Sequence, residues 1–268
     1  MKRTLVDKFT GERLIGAMRH LLAALALIAA SPAAAMVGAT STALPGGRHE
    51  VMIVGSGGTF CTGAAIARDL VLTAGHCIAS GTDYKIVEFD AAHTPKLLDV
   101  RQVARHPGFN MQTLLGHRAT ADVALLKMAA PLPSDIIPAA LDRADRKPEP
   151  GDRYTVTGYG LAVRGDGKTG GTLRAAALIA TGKPGNLQIR LVDAATNGAS
   201  AGMGACTGDS GAPVYDGSAL IGVVSWSTGP NMEAGCGGLT GVTPIALYRG
   251  WIVETARKFG SALGPQPE

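Results

Sequence analysis

Short apolar runs broken by tight-turn residues recur along most of this chain. Val51-Met52-Ile53-Val54 is followed by the glycine-rich Gly55 to Gly58, then by Cys61 to Ile66 and by Asp69 to Ala74. Further runs lie at Tyr84 to Phe89, Asp99 to Ala104 and Val123 to Met128. Beyond a Pro- and Ala-rich passage, Pro131 to Gly151, the pattern resumes at Tyr154 to Gly160, Thr172 to Ala180, Leu187 to Val192 and Leu220 to Trp226. Runs this short, with turn residues between them, predict strands rather than helices. Many short strands in succession predict an all-β protein built from barrels. Only the end differs: in Ala246 to Phe259, Leu247, Trp251, Ile252 and Ala256 fall at helical spacing, which predicts a closing helix.

The N-terminal region breaks the pattern. Arg19 and His20 precede an apolar run from Leu21 to Ala30, and the small residues of Ser31-Pro32-Ala33-Ala34-Ala35 follow. That order predicts a secretion signal over residues 1–35, with Met18 as an alternative true start. The run is shorter than the roughly 20 apolar residues that span a bilayer. The formal charge of +4 is concentrated there. Lys2, Arg3, Lys8, Arg13 and Arg19 against Asp7 and Glu12 give +3, which leaves +1 for the rest. No basic nucleic-acid footprint remains. At 268 residues, 46% hydrophobic, the chain has ample apolar material for a core.

An exported chain changes how its four cysteines are read. Cys61, Cys77, Cys206 and Cys236 predict two disulfides, and sequence alone permits three pairings. A zinc site using His76 is the competing reading, weakened by the lack of close Cys-x-x-Cys pairs.

Candidate chemistry centres on Cys206-Thr207-Gly208-Asp209-Ser210-Gly211. A serine hydroxyl needs a base beside it and donors for the charge it creates. Gly208 lets the backbone turn tightly, so that its N–H and that of Ser210 converge as an oxyanion hole. A base and an orienting acid are available in Leu72-Thr73-Ala74-Gly75-His76-Cys77 and in Thr120-Ala121-Asp122-Val123-Ala124-Leu125-Leu126. Singly, each has an ordinary reading as a turn serine, a core histidine or a loop acid. His20, His49, His93, His106 and His117 lack comparable contexts and are read as structural or exposed. Gly167-Lys168-Thr169 is part of a phosphate-loop pattern, but Ala162 replaces the leading glycine, and it is read as a turn.

Jointly, Thr-Ala-Gly-His-Cys, Asp-Val-Ala-Leu-Leu and Gly-Asp-Ser-Gly-Ala-Pro-Val, in the order His, Asp, Ser, resemble the chymotrypsin/trypsin family of serine proteases from Met36 to about Phe259. The resemblance implies two six-stranded antiparallel Greek-key barrels with a C-terminal α-helix. It places His76 and Asp122 in residues 36–140, and Ser210 and the helix in 141–268. It implies that Ser210 attacks the scissile carbonyl, His76 moves its proton and Asp122 orients the imidazole. It selects the pairs Cys61–Cys77 and Cys206–Cys236. Met36-Val37-Gly38-Ala39 resembles the start of mature family members, though with Met where Ile or Val is usual. The implied activation pair is the Met36 α-amine with Asp209, made by signal cleavage alone.

The same resemblance implies that substrate meets Gly204, Ala205 and Thr207 and pairs with Ser225-Trp226-Ser227. Gly204 stands where trypsin-like members carry Asp, so cleavage after Lys or Arg is not expected. Ser227, together with Thr240 or Gly241, suggests a pocket for small or medium apolar side chains, unless Glu233 enters it. The partners expected are a protein or peptide substrate and a protein inhibitor, with no nucleic acid and no membrane after signal cleavage. No cofactor or metal is expected. The chain reads as a secreted or periplasmic monomeric endopeptidase. The alternatives are a narrow processing protease or esterase, and a non-catalytic binding protein on the same scaffold. The intact triad favours an enzyme.

Overall fold

The computed structural model describes residues 36, 39–41, 48–90, 92, 94–142, 147–182 and 187–264. The expected signal over 1–35, the start at Met18, Val37, Gly38, His20 and His93 lie outside these. Residues 34–268 form one unit. Strand β1 (Thr40–Ser41) pairs with Ala175 and Arg174. The first barrel contains β2 (Glu50–Gly55), β3 (Phe60–Ala67), β4 (Leu70–Thr73), β5 (Tyr84–Phe89), β6 (Pro95–Arg105) and β7 (Ala124–Met128). Its strands close in the order β2-β3-β4-β7-β6-β5, all antiparallel.

The second barrel follows a short strand β8 (Ala140–Leu141). It contains β9 (Arg153–Gly158), β10 (Arg174–Ala180), β11 (Ile189–Val192), β12 (Pro213–Asp216), β13 (Ala219–Ser227) and β14 (Thr240–Pro244). The order β10-β11-β14-β13-β12-β9 closes through β9–β10 pairing. A short helix α1 (Met111–Leu115) interrupts the chain before β7, and α2 (Arg249–Lys258) closes it. The expected all-β architecture of two six-stranded antiparallel barrels with one C-terminal helix is therefore present. The closing helix begins later than its spacing predicts, because Ile245–Tyr248 form a 3-10 turn.

The continuous apolar run Leu70-Val71-Leu72 has a physical reason. Side chains alternate across a strand. Val71 faces the first barrel's interior with Val51, Ile53, Ile86 and Leu126. Leu70 and Leu72 face outward, against Leu220, Val223, Ile252 and Ala256 of the second barrel and α2. Both faces are buried, so neither can be polar. A polar seam joins the barrels as well. The fully buried Glu50 accepts from Thr157 Oγ1 at 2.5 Å and from the Tyr215 hydroxyl at 3.1 Å. These donors replace the water that the carboxylate loses on burial.

Candidate active site

Ser210, His76 and Asp122 come from three separate segments, each fixed by its own local structure. His76 occupies a 3-10 turn, Gly75–Cys77, at the end of β4. The Cys61–Cys77 disulfide ties that turn to β3. Asp122 immediately precedes the buried Val123 and β7, and has no solvent exposure. Its Oδ1 accepts the His76 backbone N–H at 2.8 Å, and its Oδ2 lies 2.9 Å from His76 Nδ1. Two contacts to one carboxylate fix both the position and the plane of the imidazole. With Nδ1–H donating to Asp122, Nε2 is left as the acceptor. Asp122 Oδ2 accepts a third bond, 2.5 Å from the buried Ser225 hydroxyl.

Ser225 was expected at the substrate strand, so its hydroxyl's role in holding Asp122 is a further finding. Only its place near Trp226 and Ser227 hinted at the site. Thr62 on β3 gave no sequence signal at all. Its Oγ1 donates to the Gly208 carbonyl at 2.8 Å and accepts from the Tyr159 N–H at 3.1 Å. Its backbone N–H donates to the Ser210 carbonyl at 2.9 Å. The carbonyls on both sides of Asp209 are thus bonded to the first barrel. Gly208 has φ +95°, and a Cβ there would lie 2.4 Å from Phe60 Cε1. A side chain is therefore excluded twice, by backbone conformation and by space.

His76, Thr207, Gly208, Ser210 and Ser227 line one open cavity of about 390 Å³. Ala205 and Gly204 are buried. Ala205 N–H donates to Thr240 Oγ1 at 3.0 Å, and a Cβ on Gly204 would lie 3.4 Å from the same oxygen. Ser227 pairs with Thr240 across β13 and β14, while Trp226 pairs with Gly241 and packs against it. Between Thr240 and Gly241, it is thus Thr240 whose side chain adjoins Gly204. Glu233 is exposed and lines a different cavity, with Ala162, Val163, Arg164 and Pro230.

Asp209 is fully buried. Its carboxylate accepts from Gly160 N–H and Cys206 N–H, each at 2.9 Å. Burial drives its pKa from the ordinary 3.8 up to about 7, against the pull of those two donors and the charge of Arg174. Met36 is also fully buried, in the second barrel's core with Ala39, Tyr154, Ala205 and Ala212. The second disulfide joins Cys206 to Cys236. Cys61, His76 and Cys77 cluster within metal-ligand distance of one another. The two sulfurs are bonded to each other, so they supply no thiolates to a zinc ion. Among the described residues, the rings of His49, His106 and His117 make no hydrogen bond to His76 or Asp122. His49 Nδ1 lies 2.6 Å from the Ile137 carbonyl, His106 packs on Tyr248 and Trp251, and His117 stacks on Trp226. Gly167–Thr169 form a 3-10 turn capped by Asp166, with no strand leading into it. Among the described residues no helix is long and apolar enough to cross a membrane.

Known proteins resemble this chain over most of its length. The family model described as Trypsin matches residues 36–252. Trypsin of Sarcophaga bullata is 30% identical, over 74% of this chain and 80% of its own length. Trypsin epsilon of Drosophila erecta is 28% identical, over 83% of this chain and 88% of its own. The solved structure of HBP superposes with a TM-score of 0.66 at 23% identity, covering 87% of this chain and 100% of that one.

Proposed function

We propose, for a chain that belongs to the trypsin family and is a serine endopeptidase, that Ser210, His76 and Asp122 are its catalytic triad. Ser210 Oγ attacks the scissile carbonyl as His76 Nε2 takes its proton. The backbone N–H groups of Gly208 and Ser210 receive the developing oxyanion. His76 then protonates the leaving amine, and water enters by the reverse path to release the acyl group. The observation that carries this reading is the double hold of Asp122 on His76, with His76 and Ser210 lining one cavity. An intact nucleophile, base and orienting acid favour an enzyme over a binding protein on the same scaffold.

The pocket reading follows from chemistry. No carboxylate stands at Gly204, so a Lys or Arg side chain would be buried without a partner, at a cost of several kcal/mol. Thr240 beside Gly204 narrows the space further. Cleavage after small or medium apolar side chains is the resulting preference. The chain is read as exported and monomeric, acting on proteins or peptides, with signal cleavage before Met36 freeing the amine that pairs with Asp209. The halves are residues 36–140 and 141–268. Hydrolysis of a peptide library by the mature enzyme tests the whole. Cleavage after Ala, Val or Thr, lost by four or more decades in Ser210→Ala, supports it. Dominant cleavage after Arg or Lys refutes the pocket, and unchanged turnover in Ser210→Ala refutes the triad.

A further inference from the structure

We propose that Trp226, His117 and Arg190 form a cationic shelf that selects an acidic side chain among the second to fourth substrate residues before the scissile bond. The proposal rests on the endopeptidase reading and adds a determinant outside its cleavage pocket. Trp226 lies between Ser225, which is bonded to Asp122, and Ser227, which lines the cavity. On one side this stretch of β13 pairs with β14 through Trp226 and Ser227. On the other, β12 pairs no further along β13 than Val223. The backbone of residues 225–227 therefore presents a strand edge beside the cavity, the kind of edge to which an extended peptide adds. At about 3.3 Å per residue, a peptide held at Ser210 runs along this edge within two to four residues.

The shelf is charged and ordered before any substrate arrives. The His117 ring stacks on the indole at 4.6 Å between centroids, with an interplanar angle of 23°. The Arg190 guanidinium carbon lies 5.4 Å from the indole centroid. Arg190 Nη2 donates to the His117 carbonyl at 3.2 Å, and Nε donates to Gln188 Oε1 at 3.2 Å. These acceptors are neutral. Among the described residues no carboxylate is hydrogen-bonded or ion-paired with Arg190 or with neighbouring Arg118. A guanidinium whose rotamer is already fixed loses little entropy in meeting a carboxylate. His117 holds a left-handed backbone, φ +52°, a conformation that persists only where its surroundings enforce it. The Arg190 bond to its carbonyl is one such constraint. Among the described residues the buried indole Nε1 has no hydrogen-bond partner.

The test uses matched peptides with Glu, Gln or Lys at each of the three positions and one fixed cleavage residue. The readout is the ratio of kcat/KM values within each protein. The expected Glu-to-Gln ratio is about 2 to 5 at one position in low salt, the scale of a partly exposed ion pair. It falls toward unity in 0.5 M salt, where screening shortens to about 4 Å. Arg190→Gln abolishes the ratio and Arg190→Lys retains part of it. Should Arg190→Gln fail to fold, the salt dependence of the wild-type ratio decides. A ratio near unity at all three positions, or one unaffected by both salt and Arg190→Gln, overturns the shelf while leaving the endopeptidase intact. Failure to hydrolyse any peptide overturns both.

Discussion

Asp209 makes the sharpest quantitative test of how the mature N-terminus acts. In the structure its buried carboxyl has two backbone donors and a pKa raised to about 7. Ionising it against that value rather than 3.8 costs about 4 kcal/mol, at about 1.4 kcal/mol per pH unit. The unfolded chain releases this proton near pH 4 and the folded chain near pH 7. The contribution to stability is therefore full below pH 4 and is lost as pH rises through 7. A free Met36 amine would supply the missing cation and remove that loss. Two chains starting at Met36, one free and one Nα-acetylated, are compared with their Asp209→Asn counterparts. All carry Ser210→Ala to prevent self-digestion. Urea unfolding at pH 4, 6 and 8, followed by Trp226 and Trp251 fluorescence, gives the stabilities. Relative to Asp209→Asn, the acetylated chain should lose up to about 4 kcal/mol between pH 4 and 8, and the free chain should not. Equal pH slopes for the free and acetylated chains would refute the pairing.

Three further outcomes are expected. Ser225→Ala deletes a buried donor to Asp122 and should lower kcat roughly tenfold with little change in KM, as 1–2 kcal/mol of lost orientation implies; steady-state kinetics on one peptide checks this. Thr240→Gly removes the side chain beside Gly204 and should raise the ratio of cleavage after Phe to cleavage after Ala about tenfold or more, read from paired chromogenic peptides. Burial holds the His106 pKa below its ordinary 6.5, so the unfolded chain takes up a proton that the folded chain resists. Stability should fall as pH drops through 6.5, and His106→Phe, packed on the same Tyr248 and Trp251 rings, should flatten that slope in pH-resolved unfolding.

Much of the fold was legible because strands with two buried faces leave apolar runs, as Leu70-Val71-Leu72 and Val123 to Leu126 do. Strand ends were less legible. β6 begins at Pro95, four residues before the run at Asp99 to Ala104, because the exposed Pro95, Lys96 and Leu97 join the strand through pairing with β5 rather than through burial. The site's three principal side chains sit in local motifs, so the sequence displays them. The groups that hold them do not. Thr62 and Ser225 act through single hydroxyls across long sequence separations, and nothing about an isolated Thr or Ser on a strand reveals which carbonyl or carboxylate it meets. The covering of Trp226 by His117 and Arg190 was equally hidden, since it depends on a loop and a strand from different barrels.

The most direct measurement is the site of covalent capture. A serine-directed phosphonylating probe, applied to the protein starting at Met36 and followed by peptide mass spectrometry, should place one adduct on Ser210. Labelling should collapse in His76→Ala even though the hydroxyl remains. An adduct on another residue, or undiminished labelling of Ser210 without His76, would contradict the triad.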